Sequence, residues 1–368
     1  MATQNSAVDS LPKIIRNIPS DCLGGELGTS LLYLLRDVAM TALGFWLVLA
    51  VDSWWLGIPA AIFLGLSLSG FFVIGHDCGH RSFARSRWVN DLVGHLVTSP
   101  LLWPFHVWRL DHDAHHRYSS HVDKDTAWRP ITYRLWLRMP RWNRLVYLWT
   151  RKLFFLGSFY TTYTNVKEGF RAGTSDKFNA EEKAQIRLSM AMMVLMGGAY
   201  LLASIYLAGF YGFVCLFLIP QIIFQSLLST YTFFHHTAPG NLFMDKRHWR
   251  PEVAQLCHTI HVKYPRFLEF FNHDINWHIP HHVCVGIPHY KLRKAHAALK
   301  EKYPEAIREE ELSWDYIKEV TGQCQFITSK LSSDMDWISY EDARAKEDAR
   351  QQKVLARKQA TAAAGSGK

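Results

Sequence analysis

The chain has 368 residues, of which 49% are hydrophobic and 20% are charged, so it can bury a large core and is not intrinsically disordered. Its net charge of +9 suits an anionic lipid surface, an acidic partner protein or nucleic acid. The six cysteines have no paired spacing, which argues against a secreted disulfide scaffold and a cysteine-based zinc site. Histidine is abundant, with 19 residues, and many of these are clustered.

Two long stretches without lysine or arginine predict membrane-spanning helices. They cover residues 37–80 and 188–245, and each can hold two helices of about 20 residues, the length that crosses the hydrocarbon core of a bilayer. Turns are expected at Asp52-Ser53 and around Gly209. Neither stretch begins like a signal peptide. The four predicted spans are residues 34–51, 54–74, 190–207 and 211–230.

The distribution of basic residues predicts the orientation of these spans. The tips of both hairpins lack lysine and arginine, whereas residues 76–186 and the region from residue 246 onward are rich in them. By the positive-inside rule, both termini and both large polar regions face the cytoplasm. The predicted fold is an all-α integral membrane protein with four transmembrane helices in two hairpins and a cytoplasmic helical cap. A soluble protein with four buried helices is the alternative.

The remaining segments complete the predicted organisation. Residues 145–160 are apolar but are interrupted by Arg151 and Lys152, which is typical of an amphipathic helix on the membrane surface; a soluble core helix is the alternative. The sequence from Glu341 onward predicts a solvated helix with a frayed end. The predicted parts are a cytoplasmic segment at 1–30, a central domain at 31–300 with hairpins at about 34–74 and 190–231 and a cap from 75–186 and 232–300, and a cytoplasmic helical tail at 301–368.

Three histidine clusters adjoin the predicted spans, and their spacing matches the period of an α-helix. Side chains at positions i, i+3 and i+4 share one face, so the histidines of a cluster can point in a common direction. Proline is tolerated in the first turn of a helix, so Pro280 predicts that the third cluster begins a helix near His278. The clusters are His76-Asp-Cys-Gly-His80, His112-Asp-Ala-His115-His116 and His278-Ile-Pro-His281-His282.

These eight histidines are too many for one metal ion, which accepts about four to six ligands, so two ions that share the set are the simplest interpretation. Neutral imidazole suits iron, zinc, copper and nickel. The pair His235-His236 ends the fourth predicted span and can supply a ninth ligand, although only one of the two can share the face of the clusters. Polar residues close to the clusters are expected to orient the imidazole rings rather than to bind metal. They are Asp77, Asp113, Asp274, His121 and Asp125.

The clusters and their flanking sequences resemble those of the membrane fatty-acid desaturases. The three clusters stand in that family's order, separated by a surface segment and a second hairpin. The resemblance covers about residues 30–300 and is strongest to the cyanobacterial-type acyl-lipid Δ12 (omega-6) desaturases. The segments that carry it, besides the first two clusters, are WVNDLVGH at 88–95, PFHVWR at 104–109, NWHIPHH at 276–282 and IPHY at 287–290.

The resemblance implies a site with two iron ions (Fe2+) bound by nine histidines. The sequence Phe-His-His-Thr matches the family's Gln-His-Thr, which makes His236 rather than His235 the ninth ligand. Thr232 stands four residues earlier, where animal stearoyl desaturases hold one iron through an asparagine and a water. Asn276, just before the third cluster, is also expected near the metals. The implied ligands are His76, His80, His112, His115, His116, His236, His278, His281 and His282.

The resemblance also implies the reaction, which uses O2 to insert a cis double bond at Δ12 of an oleoyl chain in a membrane glycerolipid and so gives linoleate. Removing hydrogen from an unactivated methylene needs a strong oxidant, and iron can activate O2 whereas zinc has no redox chemistry. The chain has no flavin, nucleotide or haem signature, so a ferredoxin-type protein is the expected electron donor, attracted by the basic cytoplasmic face. No nucleic acid partner is expected. A cyanobacterial chain of this kind would lie in the plasma or thylakoid membrane.

The acyl chain is expected to enter an apolar tunnel beside the metals. Three tryptophans are candidates for the tunnel wall, although they can equally serve as ordinary packing aromatics: Trp108, Trp128 and Trp277.

Other functions remain open at this point. An omega-3 or other-position desaturase shares the clusters, although the Asp113-Ala114 pair favours Δ12 by resemblance. A related histidine-box hydroxylase or oxygenase would add oxygen to its substrate, which desaturation does not. A membrane metal transporter would hold its ligands near the middle of the membrane, whereas the histidines here lie at the ends of the predicted spans.

Overall fold

The computed structural model describes residues 8–328 and 335–365, and within them the chain is predominantly helical. The α-helices are α1 (Leu11–Arg16), α2 (Leu27–Ala50), α3 (Trp54–Gly79), α4 (Arg87–Thr98), α5 (Phe105–Tyr118), α6 (Tyr133–Arg138), α7 (Arg141–Lys152), α8 (Gly157–Arg171), α9 (Ala180–Gly212), α10 (Ile219–His236), α11 (Pro251–Cys257), α12 (Arg266–Phe271), α13 (His278–Val283), α14 (Leu292–Lys302), α15 (Trp314–Gln323) and α16 (Tyr340–Gly365). The strands are β1 (Ile260–Lys263), β2 (Arg308–Glu311), β3 (Phe326–Ile327) and β4 (Trp337–Ile338). A π-helical segment, Phe213–Leu218, joins α9 to α10.

Three apolar helical segments in the described residues are long enough to cross a membrane: α2, α3 and the continuous segment Ala180–His236. The third has 57 residues and bends sharply at Ala208 and Gly209, where the glycine has a φ of 59° that other residues rarely adopt. The Tyr200 hydroxyl before the bend donates to the Leu216 carbonyl after it, so the two halves of the segment lie side by side. Apolar helices of this length are those of a membrane protein.

The long helices extend beyond the apolar runs that the sequence predicts. α2 begins at Leu27 rather than at residue 34, and α3 continues to Gly79 rather than ending at residue 74. α9 begins at Ala180 rather than at residue 190 because Asn179 and Glu182 form a capping box, with 2.9 Å between each side-chain oxygen and the backbone nitrogen that it accepts from. Backbone hydrogen bonding continues through polar residues, so hydropathy alone does not mark where these helices begin and end.

Small and polar residues fix the helices to one another and to the cap. A Cβ atom on Gly44 would lie 3.0 Å from the backbone of α3, and one on Gly65 would lie 2.7 Å from Ile223, so α2, α3 and α10 approach closely where no side chain intervenes. The buried Asp37 carboxylate of α2 lies 2.6 Å from His273 Nε2, in the loop before α13. This contact holds the first long helix against the segment that carries the third histidine cluster.

Residues 145–160, predicted as one amphipathic helix, are divided between two helices. α7 ends at Lys152, Leu153 leaves helical geometry with φ −104° and ψ 65°, and α8 begins at Gly157. Trp142 and Trp149 are exposed on the outer side, as a surface helix requires, but Arg151 is buried. The prediction of a single helix over residues 145–160 is therefore wrong, because the chain leaves helical geometry at Leu153.

The C-terminal region differs from the predicted helical tail. β1 pairs in parallel with β2, with Ile260 opposite Arg308, and β3 pairs antiparallel with β4. Tyr316 and Val320 of α15 pack in one hydrophobic cluster with Phe233 and Phe234 of α10. Residues beyond 300 thus belong to the main core, and the all-α prediction misses four strands because runs of two to four residues give no detectable alternation. The exposed helix expected from Glu341 onward is α16, and the chain end at 366–368 lies outside the described residues.

The N-terminal segment is also part of the fold. Ile14 of α1 is fully buried in a cluster with Leu256 of α11 and Ile279 of α13. α1 therefore supports the helix that carries the third histidine cluster, whereas the prediction left residues 1–30 as a separate segment. Residues 1–7 lie outside the described part of the chain.

Candidate metal centre

Four elements bring the predicted histidine ligands together at one end of the long helices. α3 supplies the first cluster at its C-terminal end, α5 the second and α13 the third, and α10 ends at His236. α13 begins at His278 with Pro280 in its first turn, as the sequence predicts. The i, i+3 and i+4 spacing turns the histidines of each helix toward the others.

The first group of converging ligands contains five histidines whose ligand atoms all lie within 4.8 Å of one another. His116 Nε2 is at the middle of this group, 3.1 Å from His112 Nε2 and 3.0 Å from His281 Nε2. The members are His76, His80, His112, His116 and His281.

The second group contains His115, His236 and His282, again with ligand atoms within 4.8 Å of one another. His278 adjoins it, because its Nε2 lies 3.2 Å from His236 Nε2 and 3.1 Å from His282 Nε2. The ring centres of His116 and His282 are 4.2 Å apart, so the two groups are neighbours. All nine histidines predicted as ligands thus fall into two adjacent sets, of five and of four.

Burial favours the neutral form of these imidazoles, which is the form that binds metal. It lowers the pKa of His112, His116, His281 and His282 well below the usual value, and the nearby histidines lower it further because like charges would repel. Neutral nitrogen donors in this number, converging in two sets, fit two transition-metal ions better than they fit one.

Asp125 contacts His115, the ligand that it is predicted to orient. Its carboxylate lies 2.7 Å from His115 Nδ1, and it also accepts the backbone N–H groups of Ser120 at 2.7 Å and Ala127 at 2.9 Å. A hydrogen bond at Nδ1 leaves Nε2 of His115 directed at the second group, as metal-binding histidines require.

Two contacts from distant segments also lie next to the clusters: Gln255 holds a predicted ligand, and His289 holds Asp77. Gln255 of α11 places its Oε1 2.7 Å from His282 Nδ1, and its Nε2 donates to the His116 carbonyl. His289 places its Nδ1 2.8 Å from the carboxylate of Asp77, which lies 3.7 Å from His76 Nδ1. Both contacts join distant parts of the chain, and no local pattern in the sequence could have revealed them.

The side chains of four of the predicted polar residues make no hydrogen bond to a predicted ligand. Asp274 pairs with Arg293, with 2.8 Å between its Oδ2 and Nε. Asp113 pairs with Arg109 at 3.1 Å and stays 3.9 Å from His80 Nδ1. His121 accepts the backbone N–H of Asp123 instead. Asn276 donates to the Val262 carbonyl and to Glu269, and so supports β1 rather than the metal groups. Each is near a cluster in sequence, but its side chain leaves the ligand face.

A cavity of about 680 Å³ opens beside both histidine groups, within the size range of small-molecule sites. His76 and His112 of the first group and His115, His236 and His278 of the second form part of its wall. A long apolar chain can therefore lie against both groups at once. Apolar residues of the wall include Phe72, Trp103, Trp108, Trp128, Phe224 and Leu228.

The cavity also contains two of the three tryptophans predicted for the tunnel. Trp108 stacks on His112 with ring centres 4.8 Å apart, and Trp128 Nε1 donates to Thr232 Oγ1 at 3.0 Å. Thr232 therefore lines the cavity and holds a wall residue in place. Trp277 is not part of the wall: it stacks at 3.9 Å on His261 of β1, because its position just before α13 turns it away from the histidines.

His235 lies beside the second histidine group and also lines the cavity. Its ring stacks on His278 at 4.0 Å, and neither ring nitrogen has a hydrogen-bond partner among the described residues. α10 ends in two adjacent histidines. His236 is a member of the second group, whereas His235 lies beside that group.

Comparisons with known proteins identify the family. The fatty acid desaturase family model matches residues 52–311, the region that carries all three histidine clusters. The chain belongs to the fatty acid desaturase family. It is therefore an oxidoreductase that acts on lipid acyl chains, and the histidine groups described above are its candidate metal site.

Curated relatives match most of the desaturase chain. It is 40% identical to the sn-1 oleoyl-lipid 12-desaturase of Picosynechococcus sp. over 76% of this chain and 80% of the relative. It is 37% identical to the protein of the same name from Anabaena variabilis over 86% of this chain and 89% of the relative. It is 32% identical to the chloroplastic omega-6 fatty acid desaturase of Spinacia oleracea over 93% of this chain and 72% of the relative.

Proposed function

We propose that this desaturase inserts a cis double bond at Δ12 of an oleoyl chain in membrane glycerolipid, giving a linoleoyl chain. The observation that carries the proposal is the cavity that runs along both histidine groups, since it can hold one acyl chain against both. The names of the similar cyanobacterial and chloroplast proteins support the Δ12 position.

The two groups of histidines would hold two iron ions. His76, His80, His112, His116 and His281 are the ligand set for one, and His115, His236, His278 and His282 are the set for the other. Bound iron would supply the redox chemistry that activates O2, the co-substrate, and so permits removal of hydrogen from an unactivated methylene. The protein's own part is to keep the imidazoles neutral and oriented, through burial and through Asp125 and Gln255.

The proposed membrane arrangement has four spans in two hairpins, with the metal groups on the cytoplasmic face. The side-by-side halves of Ala180–His236 support the second hairpin, and the turn between α2 and α3 supports the first. The histidine groups lie at the same end of α3 and α10, where the basic loops begin. The lysine- and arginine-free hairpin tips then face the opposite side.

A ferredoxin-type protein is the proposed electron donor. Arg85, Arg87 and Arg117 are exposed close to the first two histidine clusters and give this face a positive charge. A positive surface accelerates the encounter with an acidic protein, and salt weakens that effect. Ferredoxin-driven turnover that is insensitive to added salt would contradict this donor assignment.

Heterologous expression tests the proposed reaction. The chain is expressed in a bacterial host with a plant-type ferredoxin system and oleate, and the positions of double bonds are determined by mass spectrometry of total fatty acids. We expect linoleate with the wild type and none with His281→Ala, which removes a member of the five-histidine group. A hydroxylated product, or a new double bond at another position, would replace the Δ12 assignment. A lack of new unsaturation with iron bound and electrons supplied would refute it.

A further inference from the structure

Arg151 is a buried cation in the wall of the acyl-chain cavity. Its side chain is only 2% exposed, and it lines the cavity together with Trp128 and Tyr147. It comes from α7, whose outer side carries the exposed tryptophans Trp142 and Trp149. α7 therefore has Arg151 on the side that faces the cavity and exposed tryptophans on the other side.

The contacts of Arg151 leave part of its hydrogen-bonding capacity unused. Nη2 donates to the Trp128 carbonyl at 2.5 Å, and the guanidinium carbon lies 5.1 Å from the ring centre of Trp337 and 5.4 Å from that of Tyr147. Nη1 is buried and has no hydrogen-bond partner, and within residues 8–328 and 335–365 no carboxylate lies within ion-pair distance of Arg151. Aromatic faces stabilise a cation, but they do not accept its planar N–H groups as an oxyanion does.

The wall and rim of the cavity carry charges of both signs and one further unused donor. At the rim, the exposed cations Lys124, Arg129 and Lys177 are opposed by Asp111, Asp123 and Glu168, so the rim itself has no excess of positive charge. Inside, Asn165 is buried with its Nδ2 unpartnered, which adds a second N–H donor. A buried charge is retained at low cost only when it is paired, so the unpartnered Nη1 and the uncompensated charge of Arg151 point to an anion supplied by the ligand.

We propose that Arg151 binds the oxyanion of the substrate's head group, a phosphate or a sulfonate, so that the preferred substrate is an anionic glycerolipid rather than a neutral one. The inference rests on the proposed function and adds the class of lipid to it. Arginine matches such an oxyanion with two parallel N–H groups. Because Trp128 links Arg151 to Thr232, near the end of α10, an anchored head group also fixes where the acyl chain runs past the histidines.

Lipid binding by the full-length, iron-loaded protein, without an electron donor, tests the proposal apart from turnover. Native mass spectrometry in detergent compares dioleoyl phosphatidylglycerol, the sulfonate-bearing dioleoyl sulfoquinovosyl lipid and the neutral dioleoyl monogalactosyl lipid. We expect the two anionic lipids to bind about tenfold more tightly than the neutral one, the scale of one charged hydrogen-bonded contact. Arg151→Met should abolish the preference, and Arg151→Lys should keep only part of it because a lysine has no planar fork.

Arg144→Met is the matched control. Arg144 lies on the same helix and also stacks on an aromatic ring, that of Trp136 at 5.3 Å, but it does not line the cavity. The control should keep the wild-type preference, and thermal unfolding checks that each variant is folded. If Arg151→Met does not fold, the test is whether Arg151→Lys has a weaker preference for anionic lipid than the wild type.

Three results would overturn the proposal: equal binding of anionic and neutral lipids by the wild type, an unchanged preference in Arg151→Lys and Arg151→Met, or free oleate binding as tightly as the phospholipid through Arg151. The last would assign the arginine to a fatty-acid carboxylate. A protein that turns over oleoyl lipid without any Arg151-dependent preference would refute this inference alone. Arg151-dependent binding without desaturation would instead refute the proposed function.

Discussion

Replacement of Asp125 by asparagine tests whether the orientation of His115 controls metal binding. The Asp125 carboxylate is 2% exposed and accepts three groups at once: His115 Nδ1–H and the backbone N–H groups of Ser120 and Ala127. Asparagine has the same shape but offers only one carbonyl oxygen, so its NH2 group must face one of these donors. The variant Asp125→Asn therefore removes an acceptor without creating a cavity.

The expected losses of stability and of metal affinity follow from two functions of the carboxylate: it accepts buried N–H groups and it contacts a predicted metal ligand. A buried donor left without a partner costs about 1–3 kcal/mol, so the metal-free variant should be less stable by roughly that amount. Loss of the carboxylate partner of a metal-binding histidine lowers metal affinity about 10- to 100-fold. The loss should affect the group that contains His115 more than the group of five, because the contact is made with this ring alone.

The assay measures iron bound per chain against a competing chelator, together with thermal unfolding of the metal-free protein. Asp113→Asn is the matched control, because its carboxylate is 35% exposed, pairs with Arg109 and lies 3.9 Å from His80. It should change iron affinity less than about threefold, as expected for an exposed pair. A folded Asp125→Asn protein that binds iron like the wild type, or an equal loss in both variants, would refute the reasoning.

Three further predictions concern the site, the cap and the cavity. Gln255→Leu removes the 2.7 Å contact with the last histidine of the third cluster and should lower iron affinity about tenfold in the chelator assay, whereas unchanged affinity would contradict its orienting role. Burial lowers the pKa of His258 and His261 to about 4, so the unfolded chain takes up protons first as the pH falls. Their contribution is complete above pH 6.5 and is lost toward pH 4, so between pH 7.5 and 5 each should lower the unfolding free energy of the metal-free protein by about 2 kcal/mol. This is measured as the difference in that fall between the wild type and His258→Gln or His261→Gln, and an equal fall would contradict it. A Cβ on Gly157 would lie 2.0 Å from the cavity-lining Trp128, so Gly157→Ala should reduce linoleate formation severalfold, whereas Gly173→Ala, with open space around it, should not.

The histidine clusters could be predicted from sequence because they are local. Spacing within one helix determines which of its side chains share a face, and this is independent of the rest of the fold. Long runs without charge likewise predict apolar helices, and α2 and α3 lie where those runs lie. Their ends depend on caps such as Asn179 and on polar extensions, which hydropathy does not report.

Contacts between distant segments could not be predicted in this way. Gln255 meets His282, and His289 meets Asp77, only after α11 and α13 have folded against α3 and α5. The same is true of β2, whose Arg-Glu-Glu-Glu sequence resembles a solvated segment and becomes a strand only by pairing with β1. Arg151 is a further case, because the residues that cover it include Trp128 and Trp337, which are distant from it in the sequence.

The spacing of the second and third clusters explains why the histidines divide between two groups. Successive residues of an α-helix are rotated by about 100°, so positions i and i+4 differ by about 40°, whereas i+3 lies about 60° to the other side of i. On α5, His112 and His116 accordingly join the group of five and His115 joins the other group. On α13 the assignment is reversed, because His278 and His282 adjoin the second group and His281 joins the first. A helix with histidines at i, i+3 and i+4 can therefore contribute ligands to both histidine groups. α5 and α13 each do so, and each contributes two histidines to one group and one to the other.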